Sequence, residues 1–295
     1  MATVSCGGTS ARYRFIQRFG VDLGVKKLCV WLGVSRSGYY DWLKREPSQR
    51  DLDNQLLKQH IQAIYDKSSC RYGSPRIWRV LRRQGWCISQ KRVAKLMQMM
   101  GLIARVTRVT YRAPGMRRFL VAGENLRPDG AIPAKKNQVW VADVTYLNVK
   151  KQRHYLSVIM DLHSRRIIGW SLDTKRTAEV TKRTLVTAIR KRQPKEEVML
   201  HTDRGVEYRA LDYQKILKKH GIIHSLSRLG KCTDNAHMES FFHTLKTELI
   251  RGASFQTTDK LKYAIARYIN DFYNRKRLHS GIGYYSPMEY ERIAA

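Results

Sequence analysis

Apolar positions recur at helical spacing through the first hundred residues, whereas beyond Val139 they gather into short runs rich in β-branched and aromatic side chains. Val25, Leu28, Cys29 and Leu32 predict a short helix and Gly33 a turn. Ser35 caps a second helix, to which Tyr39, Tyr40, Trp42 and Leu43 give an apolar side. Residues 1–48 therefore read as a helix-turn-helix-like region. Leu56, Ile61 and Ile64 mark the next helix. Ser74-Pro75 reads as an N-cap with proline at the first helical position, and Gly85 ends that helix. Ser89 caps another, carrying Val93, Leu96, Met97 and Met100 and closed by Gly101; Met97, Met99 and Met100 are expected to fill core. Residues 49–104 thus form a second helical helix-turn-helix domain. Residues 105–136 lose periodicity between Pro114, Gly115, Gly123, Pro128, Gly130 and Pro133, as a linker would.

Strands are predicted at 139–147 (VWVADVTYL), 155–160 (YLSVIM) and 167–172 (IIGWSL), separated by short polar turns. A helix over 178–192 keeps Val180, Leu185 and Ile189 on one side. The short apolar run 198–201 (VMLH) suits a buried parallel strand. A helix over 210–220, a strand over 222–226 and a helix over 235–250, capped by Thr233 or Asp234, complete the pattern. Three adjacent strands, a crossover helix, further strands and closing helices predict an α/β core with a mixed sheet over 137–250. Residues 251–295 form a helical, basic C-terminal extension.

Charge changes the picture. The chain has 295 residues, 56 Lys+Arg against 24 Asp+Glu, and a net charge of +32. Such a surplus repels itself unless a polyanion answers it, and nucleic acid is the natural partner. Residues 1–136 hold 27 basic and 8 acidic side chains; residues 137–295 hold 29 and 16. Between Asp66 and Glu124 there is no acid. Solvated helix faces normally mix signs, so Arg76, Arg79, Arg83, Lys91, Arg92 and Lys95 are expected to face DNA phosphates. Arg275, Lys276, Arg277 and His279 add a second basic cluster near the C-terminus. No apolar run of about 18 residues predicts a membrane span, and the first twenty or so residues lack a secretory pattern. The five cysteines, Cys6, Cys29, Cys70, Cys87 and Cys232, include no C-x-x-C pair and read as reduced thiols of a cytoplasmic chain.

A basic chain that keeps carboxylates in apolar surroundings needs a reason for them. Asp143 lies mid-strand among Trp140, Val141, Val144 and Tyr146, where a carboxylate costs several kcal/mol unless paired or metal-bound. Asp203 directly follows VMLH, at the strand end where open α/β sheets place their sites. Glu239 falls early in a helix, where the dipole alone would also favour it. Together they form an all-oxygen set suited to a hard cation such as Mg2+. Asp161 and Asp173 are expected to cap turns, and Asp234 to cap a helix. His201 is expected to be structural. His220 and His224 are four apart, but Gly221 breaks the helix that a zinc pair needs.

The segments VWVADVTYL, VIMDLHSRRIIGW, HTDRGVEY, DNAHMESFFHTLKTEL and YNRKRLHSGIGYYSPMEY resemble the landmarks of insertion-sequence transposases with a retroviral-integrase-like core. More narrowly they resemble the OrfB products of the IS-three family, over roughly residues 20–292. Asp143, Asp203 and Glu239 match that family's D…D-x35-E triad, with 35 residues between the last two. The resemblance implies an RNase H-like core preceded by an all-α helix-turn-helix region. It implies a DDE transposase that uses two Mg2+ ions, replaceable by Mn2+, to cut element ends and transfer the 3′-OH strand into target DNA through a circular intermediate. Lys246, two turns after Glu239, and Asn235, one turn before it, are then expected at the end-DNA strand, Asn235 also orienting Glu239. Joining two ends implies at least two protomers. An upstream-frame product, OrfA, separate or fused, is a further expected partner, and the bacterial cytoplasm and nucleoid the expected location. Glu207 departs from the family pattern by standing where glutamine is usual, and Leu229, Lys231 and Thr233 vary the loop before Glu239. A nuclease that cuts without joining, or a DNA-binding regulator, are the alternatives; a plain nuclease needs no end-recognition domains, and a regulator needs no intact triad.

Overall fold

In the computed structural model, which describes residues 8–46, 48–105, 124–127, 130–149, 152–228 and 235–294, the chain forms two compact units, Met1–Gln62 and Ala63–Ala295. Thr233, Asp234 and most of the 105–136 linker lie outside the described residues.

The first unit contains α1 (Thr9–Leu23), α2 (Val25–Leu32) and α3 (Arg36–Lys44). Gly33 takes the left-handed conformation that ends α2, and Ser35 Oγ accepts the Gly38 N–H at the start of α3. Tyr13, Ile16, Leu28, Cys29 and Tyr39 make its core. Tyr40 and Leu43, expected on the buried side, are 38% and 45% exposed because α3 turns only its Tyr39 stripe inward. In α4 (Gln49–Lys67) the buried stripe is Leu57, Ile61 and Ile64; Leu56 is 50% exposed, one residue off that stripe.

After the last turn of α4, the second unit continues with α5 (Ser74–Arg83), whose N-cap is Gly73 rather than Ser74, and α6 (Gln90–Met99), where Ser89 accepts the Arg92 N–H. Val93, Leu96 and Met97 are buried on one side of α6. Met99, two residues beyond Met97, points away from that side and is 64% exposed, so it is not core. The sheet follows: β1 (Val139–Val149), β2 (Gln152–Asp161), β3 (Ile167–Asp173), then α7 (Ala178–Arg192), β4 (Val198–Thr202), α8 (Leu211–Lys219) and β5 (Ile222–Leu226). Strand order is β3-β2-β1-β4-β5, antiparallel among the first three and parallel from β1 through β4 to β5.

Alternation along β1 builds two cores. Trp140 and Ala142 join Ile159, Ile168 and residues of α7 and α8 on one face. Val141 and Leu147 join Val158 and Met160 on the other, against α9 (Ala236–Leu245) and α10 (Thr258–Arg267). Gly169 lets α7 approach the first face, since a Cβ there would lie 2.5 Å from the Thr184 carbonyl oxygen. The helix expected over 235–250 is α9 continued by a π-helical stretch, Lys246–Ile250. The C-terminal α11 (Pro287–Ile293) carries a capping box of Ser286 and Glu289. Its Glu291 accepts from Ser164, Arg166 and Arg192, which ties the extension to the sheet.

Candidate catalytic centre

β1 and β4 run parallel, with Ala142 opposite Thr202 as the last pair. Continuing that register by one residue sets Asp143 beside Asp203, at the end of the central pairing. Asp143 falls on the same alternation as Val141 and Leu147, hence on the sheet face that α9 covers. Backbone amides fix both carboxylates: Val144 N–H donates to Asp143 Oδ1 at 2.7 Å, and Gly205 N–H to Asp203 Oδ1 at 2.9 Å. Glu239 lies exposed in the first turn of α9. Asn235 precedes that turn, is buried, and donates from Nδ2 to the Ala142 carbonyl oxygen at 3.2 Å. Lys246 ends the row, its Nζ 5.2 Å from the centroid of the Tyr146 ring. Burial pulls the Lys246 ammonium below its ordinary pKa, while the charge of Asp143 pulls it back.

Asp203 has a further acidic neighbour. A Cβ on Gly205 would lie 2.9 Å from Asp203 Oδ1 and 2.8 Å from Glu207 Oε1, so both carboxyls flank that glycine. Glu207 is buried, and Arg176 answers it from the turn before α7 at 2.6 Å. Tyr208, fully buried below them, has its phenol pKa pushed well up by burial and then by the charges of Asp203, Asp143 and Glu207. Behind Asp203, Thr202 Oγ1 donates to the Asp203 carbonyl oxygen and also meets His224 Nε2 at 3.0 Å. Gln214 Nε2 lies 3.0 Å from His224 Nδ1. A neutral ring with Nδ1 accepting and Nε2 donating satisfies both contacts, and burial pushes His224 down to about 4. His201 is enclosed by the Ser225 and Ser227 hydroxyls, a structural position.

Asp143 and Asp203 therefore come together, with Lys246 and Asn235 around them. Among the described residues no three His, Cys, Asp or Glu side chains close into a metal cage. The donor set nevertheless fits a hard cation: carboxylate oxygens alone, two of them fixed by backbone amides at one sheet end. Both His224 ring nitrogens are engaged, by Thr202 and Gln214. Asp161 and Asp173 cap turns as expected, Asp161 accepting from His163 and Ser164 and Asp173 from Thr174 and Lys175.

Several basic residues expected to face DNA have other partners. Arg277 is a correction: it is 6% exposed and its guanidinium is paired to Glu248 at 2.9 Å. A buried carboxylate on the π-helical stretch captured it, which no sequence spacing announced. Asn235 is likewise buried against β1 rather than on a surface. Arg76 donates to the Leu278 carbonyl oxygen, Arg83 to that of Tyr284, and Arg79 lies over the Trp78 and Tyr284 rings. Lys91 and Lys95 are exposed on α6, Arg92 is partly exposed there, and Arg275 is exposed near the C-terminus. Sequence reasoning missed Arg176. The acid at Glu207 was a signal that a counter-cation was needed, but its position 31 residues upstream is set by tertiary structure alone.

A mixed sheet in this order, with one acid inside β1, one directly after the adjacent β4 and one on the first turn of the covering helix, is an RNase H-like core of the integrase type. The chain matches families described as integrase core domain over residues 133–232 and 239–293 and as HTH-like domain over 51–109. It is 38% identical over 288 residues to transposase InsF for insertion sequence IS3A of Escherichia coli (strain K12), covering 95% of this chain and 98% of that one. It is 36% identical over 250 residues to the transposase for insertion sequence element IS904 of Lactococcus lactis subsp. lactis (strain IL1403), covering 85% and 99%. The chain belongs to the IS3 family of insertion-sequence transposases, enzymes of the polynucleotidyl transferase class. Among solved structures it is similar to a chain of the simian T-cell lymphotropic virus intasome in complex with PP2A regulatory subunit B56 gamma, with TM-score 0.47, 14% identity and coverage of 78% and 74%. It is also similar to the HTLV-2 integrase catalytic core domain in complex with magnesium, with TM-score 0.41, 18% identity and coverage of 53% and 97%. Among the described residues no helix is long and apolar enough to cross a membrane.

Proposed function

We propose that this transposase cuts the phosphodiester at element ends and joins the freed 3′-OH to a target strand, with Asp143, Asp203 and Glu239 holding two Mg2+ ions, for which Mn2+ substitutes. The observation that carries this reading is the β1–β4 register, which sets Asp143 beside Asp203 on the sheet end covered by α9. Glu239 completes the set from the exposed first turn of that helix. When bound, two such cations supply charge stabilisation to the attacking and leaving oxygens of an in-line displacement.

The chain's own residues do the remaining work. The Val144 and Gly205 amides hold one oxygen of each aspartate, fixing the carboxylates before any substrate arrives. Asn235 sets the height of α9 over β1. Lys246, beside Asp143, holds a phosphate of the end strand, and Arg176 confines the extra charge of Glu207. Lys91, Arg92, Lys95 and Arg275 contact duplex phosphates. Two element ends require at least two protomers, and an upstream-frame product would act with this chain on DNA in the bacterial cytoplasm.

The test is a labelled element-end duplex incubated with the full chain and Mg2+ or Mn2+, scored for binding, nicking and joining. Asp143→Asn, Asp203→Asn and Glu239→Gln should each abolish nicking and joining while binding persists, since each removes one ligand charge with little change of shape. Nicking without joining would identify a nuclease, and binding alone a regulator. Near-wild-type activity in any of the three variants would show that the triad is misassigned.

A further inference from the structure

We propose a second site on this chain: an anion-binding cavity behind α9, of ≈ 340 Å³, whose Arg165 and Arg76 take a phosphate group. Ser240, Thr244 and Ser280 also line it and supply hydroxyls. Going around α9, Ser240 and Thr244 lie roughly 100° and 140° from Glu239, so the cavity opens on a different side of the helix from the carboxylates.

Arg165 carries the argument. It occupies the turn between β2 and β3 with φ +62°, a left-handed conformation that costs a non-glycine residue about 1 kcal/mol or more. Its side chain is buried, with 9% of the residue exposed, and Nη1 has no hydrogen-bond partner. Burying an unanswered guanidinium is expensive, and no carboxylate among the described residues forms an ion pair with it. The nearby Asp161 is held by Arg192. Arg76 adds a second guanidinium, which forms no ion pair among the described residues; its Nε donates to the Leu278 carbonyl oxygen. Arg277 also lines the cavity, but Glu248 and His279 already take its N–H groups. Two guanidinium groups without an ion-pair partner among the described residues thus line one cavity with the hydroxyl-bearing Ser240, Thr244, Tyr273 and Ser280. Oxygens of a phosphate accept from both kinds of donor, and guanidinium matches them with paired N–H groups. A strained, buried and unsatisfied arginine that faces a cavity is accounted for when an anion completes it.

The phosphate is that of a DNA backbone, a source that rests on the function proposed above, or free phosphate. Neither source involves the metal ligands. The experiment is thermal unfolding of the full chain without divalent cations, in inorganic phosphate against chloride at equal ionic strength. Phosphate should stabilise the wild type saturably beyond chloride. Arg165→Met should abolish that response and, by removing a buried unanswered charge, melt higher than wild type in chloride. Ser280→Asp, a change at an exposed position that puts a carboxylate into the cavity, should abolish the response in a chain that still folds. Asp143→Asn should keep it, which separates this site from the triad. A saturating short mixed-sequence duplex assigns the source: loss of the phosphate increment identifies a backbone phosphodiester, and its persistence identifies free phosphate. Absence of a saturable effect in the wild type, or a full effect in either Arg165→Met or Ser280→Asp, overturns the proposal.

Discussion

Asn235 Nδ2 donates to the carbonyl oxygen of Ala142, the residue immediately before Asp143, and this bond pins the start of α9 to the strand that carries the first acid. Asn235 is 6% exposed, so water cannot replace the bond readily. Asn235→Ala should cost about 1 kcal/mol of stability in urea unfolding. Cleavage should fall further, on the order of 10²-fold, because small displacements at a reacting centre are amplified. Asn235→Asp should be worse than Asn235→Ala in both measurements, since a carboxylate faces the Ala142 oxygen with no proton to donate. Equal cleavage by the wild type and both variants would remove Asn235 from positioning.

Lys246 sits at the junction of α9 and its π-helical continuation, over the Tyr146 ring and beside Asp143. Lys246→Ala should lower single-turnover cleavage of a pre-bound end by about 10²-fold while leaving metal affinity by calorimetry intact. Lys246→Arg should recover part of the loss, because the charge survives although its donor geometry changes. Unchanged cleavage in the alanine variant would return Lys246 to a structural contact with Tyr146.

Glu207 and Arg176 form an asymmetric pair: the glutamate is 4% exposed and the arginine side chain 46%. Arg176→Ala strands a buried carboxylate beside Asp203, and after discounting for the solvated arginine should cost about 2 kcal/mol. Glu207→Gln leaves only a half-exposed guanidinium without its ion and should cost less, about 1 kcal/mol. The two unfolding curves compared at neutral pH check the order; the reverse order would mean that Arg176 does not compensate Glu207.

His224 ties stability to pH. Its folded pKa is about 4 against an ordinary 6.5, so between those values the unfolded chain binds the extra proton. Stability is therefore complete above pH 6.5 or so and is lost as pH falls toward 4, by at most about 3 kcal/mol. Urea unfolding across that range should show the slope, and His224→Gln should make it shallower, since His237 and His279 are depressed too and keep their share. An equally steep slope in the variant would assign the acid sensitivity to other groups.

The alternation of Trp140, Val141 and Ala142 is enough to place Asp143 on one face of a strand, because side-chain period in a strand is fixed by covalent geometry. VMLH announces β4 and puts Asp203 at its end for the same reason, and Ser35 and Ser89 announce their helices through local hydrogen bonds. These are short-range effects, so the sequence alone determined them, together with the basic charge that calls for a polyanion. What lies across the chain was decided only by tertiary structure. Glu248 reached over 29 residues to bury Arg277, Arg176 reached over 31 to cover Glu207, and Asn235 turned inward to a backbone oxygen 93 residues away. A charged side chain read from spacing alone looks solvent-facing; whether it meets water, a phosphate or a buried acid depends on which distant element desolvates it, and that is settled when the sheet, α9 and the C-terminal extension pack together.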